Sequence, residues 1–184
     1  MTLLIIGLIL WTAAHYFKRL MPAQRAALGD KGKGLIALAI VASLILIIIG
    51  YRTADFINVW YPPAFLKGIN NLAMLFALWV YGSSAAKGAK AWPAYKLRHP
   101  QLTAVKIWAA AHLLVNGDLA SIILFGGILA WAVGSVILIN KFEPAWTPPA
   151  PAGRPTYIRL IVISLVMFAA IAGIHIALGV NPFS

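Results

Sequence analysis

Six apolar runs separated by polar stretches organise the chain: residues 2–17, 34–50, 69–86, 103–115, 119–139 and 157–179. Most approach the roughly 20 residues that an α-helix needs to cross about 30 Å of hydrocarbon. The fourth is short, since residues 103–115 make only about 20 Å of helix at 1.5 Å per residue. It spans if residues 100–102 extend it; otherwise it is a re-entrant segment in a five-helix protein. The pattern predicts an all-α integral membrane protein, a bundle of about six transmembrane helices in a single domain over residues 1–184.

The punctuation between the runs agrees with that reading. Pro100 suits a first helical position, which puts His99 in the cap region. In Asn116-Gly117-Asp118, the glycine supplies a turn and the aspartate an N-cap for the helix beginning at Leu119. Residues 143–155 hold five prolines and form a surface connector. Trp60-Tyr61-Pro62-Pro63 and Trp92-Pro93 read as interfacial anchors at helix ends. Gly126-Gly127 with Gly134 offers a small-residue face for close helix packing.

Composition narrows the class. The 184 residues are 62% hydrophobic and 10% charged, less than half the charge of a soluble domain. Mean hydropathy is +0.88. A net charge of +11 would suggest nucleic acid in a soluble protein, but here the basic residues lie in the stretches between apolar runs. They concentrate in the first, third and fifth loops, so the positive-inside rule explains them, and no nucleic-acid partner is expected. Those loops are then cytoplasmic and both termini lie on the outer side of a multi-pass protein. The first apolar run lacks a basic leader, and Lys18 and Arg19 follow it, so it is a retained helix. The absence of cysteine excludes disulfides, iron–sulfur clusters, thiolate ligation and cysteine nucleophiles.

The four acidic residues, Asp30, Asp55, Asp118 and Glu143, all fall in loops or at helix ends, which argues against paired-carboxylate catalysis. No P-loop and no HExxH motif is present. Histidine remains: His15, His112 and His175 fall within apolar runs. An ionisable residue inside a membrane segment is a functional hypothesis by default. Three of them in so acid-poor a chain suggest a ligand set, and hydrocarbon surroundings without carboxylates favour haem iron over zinc. The alternative is a haem-free helical assembly factor or carrier whose histidines hydrogen-bond between helices.

Depth permits two pairs. Measured from Lys18 and Lys106, His15 and His112 differ by about three residues, or ~5 Å. Measured from the opposite ends, His175 and His112 match as well, so His175 is the alternative to His15. Trp108, His112 and Asn116 share one helix face, and Trp11, His15 and Arg19 show the same spacing. Asn116 either holds an imidazole tautomer or caps the helix. Lys18, Arg19 and Arg98 are placed either to meet haem propionates or to snorkel to headgroups.

The run KIWAAAHLLVNGDLASIILFGGILAWAV, with Arg98-His99-Pro100, Lys33-Gly34-Leu35, Trp60-Tyr61-Pro62-Pro63 and the ending His175 to Pro182, resembles the NnrU family of bacterial membrane proteins. The first helix is a looser match, because Tyr16 stands where the family tends to have a small hydroxyl residue. The resemblance implies a bacterial inner-membrane protein linked to nitric oxide metabolism in denitrification. The plant and cyanobacterial zeta-carotene isomerase is similar to that family, and it implies a second direction, a b-haem enzyme isomerising a cis double bond of a polyene. Carried over by resemblance, the haem b ligands would be His15 and His112. The implied partners are the lipid bilayer and an apolar small molecule or gas; the sequence leaves the oligomeric state open.

Overall fold

The computed structural model describes residues 1–183, which form seven α-helices and, among the described residues, no strand. In order these are α1 (Thr2–Leu20), α2 (Pro22–Ala27), α3 (Lys31–Arg52), α4 (Leu66–Gly82), α5 (Pro100–Val115), α6 (Leu119–Phe142) and α7 (Arg154–Ala177). Each of the six apolar runs is a helix. The addition is α2, a single short turn-and-a-half in the first polar stretch, started by Pro22 and too polar to leave an apolar signal.

Four helices, α1, α3, α6 and α7, are long and apolar enough to cross a membrane. The number of such helices is therefore smaller than the expected six. At 17 and 16 residues, α4 and α5 reach only about 25 Å each. Residues 100–102 do extend the fourth apolar run, because Pro100 opens α5 and the Thr103 N–H donates to the His99 carbonyl at 2.9 Å. The chain divides into two compact units, residues 1–61 with 116–144 and residues 62–115 with 145–183.

The first unit is built on α1, which packs along α3 and α6. Glycines let the backbones approach. A Cβ on Gly7 would stand 2.8 Å from the Ile47 nitrogen, and one on Gly50 would run into the backbone of Leu4. Leu4, Leu8, Ile47 and Ala120 form the core of this contact. On α6 the packing face is Gly127 and Gly134: Leu8 lies 3.0 Å from the missing Cβ of the former, and the Tyr16 hydroxyl fills the space at the latter. Gly126 faces open space. The Asp118 carboxylate accepts from the Ser121 N–H at 2.9 Å, the expected N-cap of α6. Gly117 accepts from the N–H groups of Val59 and Trp60, and Leu119 donates to Ile57 at 2.8 Å, so the turn before α6 is pinned to the segment after α3. The fully buried Ser121 shares a hydrogen bond with the Tyr51 hydroxyl at 2.9 Å.

The second unit is built on α4, which packs against α5 and α7. The buried side of α5 consists of Ala104, Ala109 and Ala111, small enough for close approach. The polar stretch after α4 is not loose. Lys90 exchanges backbone hydrogen bonds with Ala150 and Ala152, each 2.8 Å, and its ammonium group donates to the carbonyls of Ser84 and Ala86. The Trp79 indole donates to the Trp92 carbonyl at 2.8 Å, and the Trp92 N–H donates to the Tyr157 hydroxyl at 3.0 Å. Beneath these bonds Ala91 and Ala94 are buried, so this segment and the proline-rich connector form an ordered bracket. On α7 only Leu160, Ser164 and Ala172 are buried, while Ile158, Val162 and Val166 are each more than half exposed. An apolar surface on this scale is stable in hydrocarbon and not in water.

Candidate functional site

Each of the three histidines in the apolar helices is half-buried rather than fully enclosed. All three are held in the same way. His15 Nδ1 bonds the Trp11 carbonyl at 2.7 Å, His112 Nδ1 bonds the Trp108 carbonyl at 2.9 Å, and His175 Nδ1 bonds the Ile171 carbonyl at 2.8 Å. A carbonyl only accepts, so these bonds place the proton on Nδ1. In the neutral ring Nε2 then carries the lone pair, the arrangement a metal-ligating imidazole requires. The partner on His112 Nδ1 is thus its own helix; Asn116 lies beyond the last residue of α5, in the turn before α6.

His15 and His112 are built as one module. Trp11-Thr12-Ala13-Ala14-His15 and Trp108-Ala109-Ala110-Ala111-His112 share the pattern of a tryptophan, two alanines and a histidine. In α1 the ring centroids of Trp11 and His15 are 4.3 Å apart, and in α5 those of Trp108 and His112 are 5.0 Å apart. Ala14 and Ala111, immediately before the histidines, are buried, which seats each ring close to the helix contact. The repeated pattern was visible in the sequence and is the signal that inspection of single residues passes over.

The surroundings differ. In the first unit Trp131 of α6 meets His15 edge-on at 4.9 Å and Trp11 at 5.3 Å, and the Tyr16 hydroxyl donates to the Trp131 carbonyl at 2.7 Å. The indole nitrogens of Trp11 and Trp131 are buried and have no hydrogen-bond acceptor. Nothing in the sequence around Trp131 announces this, since it depends on how α6 lies against α1. Arg19 pairs with Glu143 at 3.1 Å, and Lys18 is exposed. An open apolar groove of about 470 Å³ runs between α1 and α6, lined by Ile5, Leu8, Ile9, Thr12, Ala13, Ile123 and Gly127. His112 and His175 both belong to the second unit. The Val180 N–H closes the end of α7 on the His175 carbonyl at 2.9 Å. Arg98 reaches the Ala145 carbonyl at 3.5 Å. Among the described residues, no group of three or more His, Cys, Asp or Glu side chains gathers as a metal site.

Apolar helices of spanning length, glycine-mediated packing and histidines locked to their own helices define an all-helical membrane protein. The chain belongs to the NnrU family, described as "NnrU protein", whose pattern it matches over residues 3–182 and therefore through both units. No curated protein and no solved structure matches it.

Proposed function

We propose that this protein is a b-type haem protein of the bacterial inner membrane, with both ends on the outer side and a role in handling nitric oxide. The observation that carries the reading is the shared anchoring of His15, His112 and His175, each with Nδ1 tied to a carbonyl of its own helix, so that Nε2 is the nitrogen through which each ring would ligate iron. Haem iron arrives with four of its six ligands already in place, so it asks for one or two such histidines and not for a cluster. The dispersed donor set fits that requirement and would not fit zinc, which takes three or four protein ligands. Bound haem would supply an iron centre capable of taking a diatomic gas or an electron. The chain's own contribution is to fix the imidazole tautomer, flank it with Trp11 or Trp108, and keep water away by burial in hydrocarbon. His112 is one ligand. Its partner is His15 by the family resemblance or His175, which shares its unit. Lys18, Arg19 and Arg98 are candidates for the propionates. Purified in detergent, the protein should show a Soret band and a pyridine haemochrome of b type; a preparation from haem-replete cells without either removes this reading.

A second reading uses the same haem for cis–trans isomerisation of a polyene. The α1–α6 groove favours it, because the lining is apolar with Thr12 supplying a hydroxyl. Failure to rescue a strain blocked at zeta-carotene isomerisation would count against it.

A further inference from the structure

Trp11 is the central residue of α1, with nine residues on either side, and Trp131 is within one residue of the centre of α6. In a spanning helix the middle residue lies near the bilayer midplane, where water does not satisfy an exposed N–H. Yet both indole nitrogens are buried there without an acceptor, while the rings stand 5.3 Å apart and both touch His15. An N–H turned on a neighbouring ring face gains only a second-order contact. These two indole donors, on rings 5.3 Å apart, have no acceptor in the chain as it is folded, and a buried donor left unmet is costly.

The chemistry of that acceptor follows from the donors. They are neutral and sit at mid-span, so an oxyanion would bring an uncompensated charge into hydrocarbon. The cations of α1, Lys18 and Arg19, lie about two turns further along the helix, and Arg19 pairs with Glu143. A water molecule would accept both N–H groups but bring two protons of its own into the same apolar site. A ketone-type carbonyl accepts only, carries no charge, and dissolves in the membrane. Flat aromatic walls suit a flat ring bearing it.

We infer that the middle of the first unit binds a quinone headgroup, one carbonyl oxygen taking the indole N–H groups of Trp11 and Trp131. The donors are the indoles, so the inference goes beyond the haem reading.

The test uses the full-length protein in nanodiscs free of quinone, titrated with a short-chain benzoquinone labelled with ¹³C at its carbonyls. Binding should saturate, move the carbonyl stretch of the bound form to lower frequency, and shift two indole N–H resonances. Trp11→Phe and Trp131→Phe should each remove one of those resonances and weaken binding about tenfold, the equivalent of one hydrogen bond. An unshifted carbonyl stretch in the wild type needs no variant to interpret and overturns the inference. So does equal affinity in the wild type and the double variant, or indole resonances that answer to acetate and not to quinone, which would mark an anion site. Resonances indifferent to both would assign the acceptor to water and overturn it as well. None of these readouts involves iron, so failure here leaves the haem reading standing, and a missing Soret band leaves this one standing.

Discussion

The two units carry the same tryptophan–histidine module in different company. Around His15, α1 is clasped by glycine contacts to α3 and α6, and a second tryptophan closes on the imidazole. His112 shares its unit with another histidine, His175. Charge divides along the same line. All four acidic residues, Asp30, Asp55, Asp118 and Glu143, belong to the first unit, and the second has none. A module fixed by local helix geometry thus sets the tautomer in both places, while the neighbours decide what each nitrogen can do. The first unit holds two indoles without acceptors; the second holds two imidazoles and no acidic residue.

Exchange of the histidines gives the largest contrast. His112→Ala should abolish or change the haem spectrum, while His99→Ala, at a helix start, should leave it nearly intact. Comparing His15→Ala with His175→Ala then selects the partner. If only His175→Ala alters the spectrum, ligation is confined to the second unit and the resemblance of the two modules ends at their structure.

The packing of the first unit can be broken at a single atom. Gly50→Ala places a methyl group against the backbone of Leu4, which cannot move without α1, so stability should fall by about 3 kcal/mol. Gly126→Ala, on the same scale of chemical change, meets open space and should be neutral or stabilising by up to ~1 kcal/mol through helix propensity. Thermal unfolding of both variants in the same detergent checks the pair; equal losses would mean that α1 and α3 do not meet at these glycines.

Asp118→Ala removes the cap of α6 and should cost about 1 kcal/mol, with Asp118→Asn recovering most of it. The smallest effect is expected at Arg19→Gln. Its partner Glu143 is more than half exposed, so the ion pair contributes well under 1 kcal/mol and unfolding should barely shift. A large loss there would give Arg19 a second role beyond the ion pair.

Much of this architecture could be read directly from the chain where the rule is local. Pro100 and Asp118 mark helix starts because a missing N–H and a short acceptor side chain act within one turn. The six helices follow from unbroken apolar runs. What depends on a second element was not legible. Gly126 and Gly127 are adjacent in sequence, and only the position of α1 decides that Gly127 is the contact. Gly134 pairs with Tyr16 for the same reason. The short α2 escaped because six residues of mixed polarity carry no periodicity. At the site, the histidines stood out by their type and setting, but their tautomer did not. The bond on His112 Nδ1 comes from a carbonyl four residues back, which any helix can offer and which no side-chain type signals. Trp131 carried no mark at all, since its importance lies in the indole of Trp11 across the helix contact.

The central claim is that Nε2 of His112 ligates iron. The reduced-minus-oxidised absorption spectrum of the purified wild type beside His112→Ala tests it most directly. A b-type difference spectrum in the wild type, lost or displaced in the variant, is the expected result. Identical spectra in the two proteins, or none in either, would contradict it.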